Sequence, residues 1–260
     1  MPSLYPLKAF LNHWLHVVDE HSIHSPYFYD FFKNVIKGES SPPHFPELEK
    51  LRLQLLSNPL EVNIDDFGAG SAMLAGSKRK LSEIAKTSLS EEKYSALYYR
   101  IVQFLKAERI VELGTSLGVT TLYLAQDKDC KVITFEGSPA LANVALTNFE
   151  YFEKKNIELI EGNIDVTLPD FLQDPTKINF AFIDANHRYT PTIKYFNQLV
   201  MRLDEASILV IDDIHWSEEM ERAWNELKAN ELVYGSIDLF RCGILFFEPG
   251  LNRQHYVLSL

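Results

Sequence analysis

The chain has 260 residues, of which 46% are apolar and 23% charged, and its formal net charge is −11. That is enough apolar material for one large α/β core with an appendage, which excludes wholesale disorder. The acidic balance argues against nucleic acid as a partner, because a chain that grips phosphates usually presents a basic face.

Leu7, Phe10, Leu11, Trp14, Leu15 and Val18 recur at helical spacing and predict an amphipathic helix. Ser25-Pro26 reads as an N-cap followed by proline at the first helical position, opening an aromatic helix with Phe28, Phe31, Phe32, Val35 and Ile36. Ser40 to Pro46 is a proline-rich breaker, and a short helix is expected near Glu47 to Leu56. Lys78-Arg79-Lys80, the one compact basic run, reads as solvated surface.

From about residue 90 the pattern alternates strand and helix. Tyr94, Leu97, Ile101 and Leu105 form a helical stripe; Arg109 to Leu113 is a short apolar strand, and Val119 to Ala125 a helix. Val132 to Phe135 is a second strand, and Ser138-Pro139 caps the next helix. Ile157 to Ile160, Ile178 to Ile183 and Ser207 to Ile211 are three more strands, the fourth almost wholly apolar, as a strand buried on both faces should be. A helix runs to about Asn230. Two further strands are expected within 233–260, as a hairpin turning at Pro249-Gly250. The expected fold is therefore α/β, a Rossmann-like, doubly wound and mostly parallel sheet of seven strands. Residues 1–89 form a helical N-terminal extension and residues 90–260 the main domain.

Ligands of such sheets bind at the carboxyl ends of strands. The first strand runs into Glu112-Leu113-Gly114-Thr115-Ser116-Leu117-Gly118, where glycine permits a tight turn and close approach of a ligand. Gly-x-x-x-Gly is not the dinucleotide spacing, so a nicotinamide dehydrogenase is disfavoured. The second strand ends at Glu136, followed by Gly137 and Ser138; a carboxylate there suits both hydroxyls of a ribose. Asn163, after the third strand, offers an amide to an adenine edge. Together these describe a pocket for adenosine with an amino-acid tail, which is S-adenosylmethionine.

With these positions in order, residues 90–250 resemble a class I methyltransferase. Glu112, Gly114, Thr115, Ser116 and Gly118 match its glycine-rich motif, and Glu136 its ribose acid. Phe182 to Tyr189 and Val210 to Trp216 are similar to bacterial small-molecule O-methyltransferases related to the catechol and caffeoyl-coenzyme A enzymes. The resemblance implies S-adenosylmethionine as cofactor, with Asp184 among its contacts, and methyl transfer to an oxygen of a small molecule. It also implies a Mg2+ site at Asp184, Asp212 and Asp213, although relatives carry Asn at the last position. A hydroxyl bound to such an ion ionises more readily. His187, with Asp184, is the candidate base, or else it orders its loop. A metal-independent N- or O-methyltransferase and a non-catalytic cofactor-binding module are the alternatives.

Two other motifs read as decoys. Asp65-Asp66-Phe67-Gly68-Ala69-Gly70-Ser71 looks like a second glycine-rich loop without a convincing helix after it, and Ser41-Pro42-Pro43-His44 lacks the aromatic residue of amino-methylating enzymes. Cys130 and Cys242 show neither metal spacing nor a disulfide framework. No stretch approaches the roughly 18 apolar residues of a membrane span. A cytoplasmic bacterial protein is expected, with a small-molecule acceptor, no nucleic-acid or membrane partner, and a homodimer as an allowed state.

Overall fold

The computed structural model describes residues 5–38, 45–64 and 77–260. Ser41 to His44 and Asp65 to Ser71 lie outside the described residues. The chain forms two compact units, one of residues 1–39 with 175–260, the other of residues 40–174.

The first unit opens with α1 (Tyr5–His16) and α2 (Pro26–Phe31), the latter beginning at proline as expected and ending in a wide π turn over Phe32–Ile36. The second unit starts with α3 (Pro46–Ser57), the antiparallel pair β1 (Glu61–Ile64) and β2 (Ser77–Lys80), and α4 (Leu81–Ser88). The alternating pattern follows: α5 (Glu92–Leu105), β3 (Arg109–Leu113), α6 (Val119–Leu124), β4 (Lys131–Glu136), α7 (Pro139–Tyr151), β5 (Ile157–Glu161) and α8 (Ile164–Phe171). The first unit resumes with β6 (Phe180–Ile183), α9 (Tyr189–Leu199), β7 (Ile208–Asp212), α10 (Glu218–Lys228), β8 (Gly235–Asp238), β9 (Cys242–Phe246) and β10 (Gln254–Val257).

In the second unit β3, β4 and β5 are parallel neighbours, with Glu112 opposite Thr134 and Glu136 opposite Glu161. Leu48, Leu51, Ile84, Leu122 and Phe149 belong to one buried cluster there. Gly118 is part of that packing: its φ is +79, and an added Cβ would meet the Phe149 ring at 2.6 Å. Only glycine lets α6 start so close to α7.

In the first unit the strand order is β10-β8-β9-β7-β6. β6 and β7 are parallel and wholly buried, β9 runs antiparallel to both β7 and β8, and β10 is parallel to β8. The fold is thus α/β and mostly parallel, with eight strands in these two ladders where seven are expected. The hairpin also moves: β8 and β9 turn at Leu239–Arg241, whereas Pro249–Leu251 makes a single helical turn before β10. Phe28 and Phe31 set α2 against this ladder, their ring centroids 5.0 and 5.1 Å from that of Phe246. Gly235 makes room for them, since a Cβ there would meet Phe28 at 2.4 Å.

α1 is a helix, as its periodicity predicts, but its apolar stripe does not face the core. Trp14 is 65% exposed and Leu15 70%, and Leu7, Phe10 and Leu11 are also open to solvent; the buried residues are Ala9 and His13. Polar contacts at both ends help to hold the helix, beside the Phe10 contact with Phe240. Tyr5 donates to Glu221 on α10, and His13 approaches Asp238 at the end of β8.

Candidate active site

In the second unit the polar strand ends are tied together by two carboxylates. Glu112 is fully buried, and its Oε2 accepts from Thr121 Oγ1 at 2.5 Å and Thr134 Oγ1 at 2.6 Å. The β3–β4 register places Thr134 opposite it, and the first turn of α6 supplies Thr121. Burial pushes the Glu112 carboxyl up to about 7, the two threonines oppose the shift, and nearby Glu136 adds to it. Its Oε1 has no hydrogen-bond partner.

Glu136 fastens three loops. Its Oε2 accepts from Ser116 N and its Oε1 from Ser138 N, both at 2.8 Å, while its backbone oxygen accepts from Gly162 N at 2.8 Å. The glycine-rich loop reaches this clamp through left-handed backbone at Gly114, Ser116 and Gly118, with φ of 103, 49 and 79°. Gly114 N and Thr115 N both donate to Phe135 O, at 3.0 and 3.1 Å. Thr115 turns inward to Thr134, Oγ to Oγ 2.6 Å, so it supports the loop from beneath. Ser116 Oγ donates to Ser88 at the end of α4. Ser138 Oγ is buried without a hydrogen-bond partner. Asn163 caps α8, its Oδ1 accepting from Asp165 N at 2.9 Å.

In the first unit the carboxyl ends of β6, β7 and β8 carry the charged groups. Asp184 follows β6, and His187 Nε2 lies 3.5 Å from its Oδ1 across a turn in which Asn186 and His187 both have positive φ. Asn186 is pinned by its amide to Tyr195 at 2.6 Å. Asp212 closes β7 with no exposed surface and receives Arg241, Nη2 to Oδ2 3.1 Å. Asp213 follows at φ +54; burial raises its carboxyl above the usual range, as does Asp212, while His187 and Arg241 pull it down. Asp238, closing β8, accepts from His215 Nε2 at 2.9 Å, Trp224 Nε1 at 3.2 Å and Phe240 N at 2.9 Å, with His13 Nε2 3.3 Å from its Oδ1. Burial alone would raise Asp238, but the bonds from His13 and His215 hold it well below the carboxylate range.

At the expected Mg2+ site of Asp184, Asp212 and Asp213, the middle acid carries the Arg241 guanidinium. Among the described residues no three His, Cys, Asp or Glu side chains are grouped to hold an ion. That guanidinium is a donor where a metal needs open oxygens. The residues present do not fit that ion.

Arg241, Asp238, His13, Ser88, Thr121 and Thr134 are absent from the sequence-derived set. Asp238 ends an apolar run as Asp212 does, and that signal was available. The others are neutral hydroxyls or distant partners with no local pattern.

Residues 111–214 match the family of methyltransferase domains. The chain is 27% identical over 153 residues to a catechol O-methyltransferase of Mycobacterium tuberculosis, covering 58% of this chain and 66% of the relative. It is 26% identical over 154 residues to one of Niastella koreensis, covering 57% and 68%. The chain therefore spans about two thirds of the length of these curated relatives. The fold is that of an SAH-bound methyltransferase of Podospora anserina, with a TM-score of 0.62 at 14% identity over 87% of this chain and 98% of that one. No described helix is long and apolar enough to cross a membrane. In its fold, its matched segment and these relatives, the chain is similar to methyltransferases.

Proposed function

We propose that the chain transfers the methyl group of S-adenosylmethionine to an oxygen of a small-molecule acceptor. The observation that carries this reading is Glu136, with both carboxylate oxygens fastened by backbone amides at 2.8 Å. A carboxylate held this way keeps its remaining lone pairs in fixed directions, as pairing with two ribose hydroxyls requires. Two orphaned buried atoms support the same ligand. Glu112 Oε1 suits an ammonium group, and Ser138 Oγ suits a polar atom of the nucleoside tail.

In this reading Gly114, Ser116 and Gly118 give the cofactor its backbone cradle, and Gly137 and Ser138 line it. Thr115 acts by supporting the loop. Asn163 has its side-chain oxygen engaged as a cap, so contact with a base comes from its amide N–H groups. Bound there, the cofactor supplies an electrophilic methyl group. His187 Nδ1 takes the proton of the acceptor hydroxyl, and Asp184, 3.5 Å from Nε2, stabilises the resulting imidazolium. Most of the acceleration comes from alignment of acceptor oxygen and methyl carbon. The catechol O-methyltransferase relatives support oxygen as the acceptor atom.

The test is calorimetry with the demethylated cofactor, for which binding on the order of micromolar is expected. Glu136→Gln removes the charge and should weaken binding by about tenfold or more. A folded Glu136→Gln protein with unchanged affinity would sink the site.

A further inference from the structure

We propose that the Arg241 guanidinium is the resident cation of the Asp212–Asp213 corner, and that it keeps divalent metal out. The consequence for catalysis, methyl transfer without a metal, rests on the function proposed above; the exclusion of metal does not.

The backbone fixes Arg241 in place. β7 and β9 pair antiparallel with Asp212 opposite Cys242 and Ile211 opposite Gly243, so the residue before Cys242 must lie beside the end of β7. Just past that end, Ile214 N donates to Arg241 O at 3.1 Å, which closes the ladder on the far side of the corner. The β8–β9 turn brings Arg241 there through Phe240, an aromatic residue held at φ +67. Left-handed backbone is costly for a bulky side chain and persists only where its surroundings over-determine it. Here they do, for the Phe240 ring stacks on His215 at 5.5 Å and meets Phe10 and His13 edge to face.

The carboxylate is occupied. Arg241 Nη2 lies 3.1 Å and Nε 3.3 Å from Asp212 Oδ2, and Nε is 3.4 Å from Oδ1. Asp212 has no exposed surface and the Arg241 side chain is 24% exposed. An ion entering here would have to displace a partly buried, charge-assisted contact. Arginine cannot shed its proton to make way, so the block holds at any working pH. Mg2+ gives up its own water reluctantly and demands near-octahedral oxygens, which makes it a poor competitor.

The experiment is a Mn2+ titration of the chelator-treated full chain, read by the electron paramagnetic resonance signal of free Mn2+. The wild type should show no stoichiometric uptake. Arg241→Met opens Asp212 and should bind one Mn2+ per chain, at least about tenfold more tightly than the wild type given the cationic charge removed. Arg241→Met combined with Asp212→Asn should lose that gain, and Arg241→Lys should behave as the wild type. Stoichiometric uptake by the wild type that Asp212→Asn abolishes overturns the proposal, as does a folded Arg241→Met chain that gains nothing. If circular dichroism shows Arg241→Met unfolded, the wild-type titration and Arg241→Lys decide. No turnover is needed, so a chain that excludes metal yet methylates nothing counts only against the methyl-transfer reading.

Discussion

A carboxyl group with no exposed surface stays ionised only if donors replace the water it has lost, and Glu112 has two such donors, both on one oxygen. Burial wins, and the group titrates at about 7. A folded-state value above the unfolded one means the native chain holds its proton longer. Stability therefore falls as pH rises from about 4.5 through 7, by about 3 kcal/mol at most, and is flat above that window. Glu112→Gln should remove this slope from a series of urea melts while keeping an acceptor for the threonines. A cationic ligand beside Oε1 would reverse the bias and hold Glu112 ionised. Affinity for the demethylated cofactor should then weaken below about pH 7 in the wild type and be lower but pH-independent in Glu112→Gln. A slope that survives the substitution would move the titration to another group. At this scale the sequence is informative where an acid or glycine ends an apolar run, as at Glu112 and Glu136. It is silent on Thr121, Thr134 and Ser88, because a hydroxyl that meets its partner across two strands leaves no local pattern.

The helix α1 shows what periodicity can and cannot say about an element. A 3.6-residue repeat in Leu7, Leu11, Trp14 and Leu15 is enough to predict the helix, and normally its apolar stripe turns inward. Here the opposite face docks, with Ala9 and His13 buried, Phe10 and His13 against Phe240, and His13 adding a further donor to Asp238. Asp238→Asn should therefore destabilise the fold by about 3–5 kcal/mol at neutral pH, measured by urea denaturation with tryptophan fluorescence, since Trp224 reports on the same carboxylate. Because the folded-state value is depressed, the contribution is present above the unfolded value, begins to drain away below about pH 4, and is lost only at strongly acid pH, where wild type and variant should converge. A loss under about 1 kcal/mol would mean that the two histidines and Trp224 are spectators.

Across the molecule, the order of strands and helices was legible from residue 109 onward because parallel strands are nearly continuous apolar runs. The C-terminal ladder was not. Pro249-Gly250 is the louder turn signal, yet the sharp turn falls at Leu239–Arg241, with the strained position taken by Phe240 rather than glycine. Tertiary packing of one aromatic ring overrides local preference there, and the same displaced turn delivers Arg241 to Asp212. Both the cofactor and the metal assignments can be read in one property of the whole chain, its melting temperature. A ligand at about 100 times its dissociation constant adds about 2.7 kcal/mol to the native state, worth about 5–10 °C for a chain of this length. The demethylated cofactor should give that shift. Mg2+ at millimolar concentration should give none, alone or with the cofactor, because the cationic position beside Asp212 is already filled by Arg241. A further rise with Mg2+ that disappears in Asp212→Asn would restore the metal site; a chain whose melting ignores the cofactor as well would undo the reading of Glu112 and Glu136 as its holders.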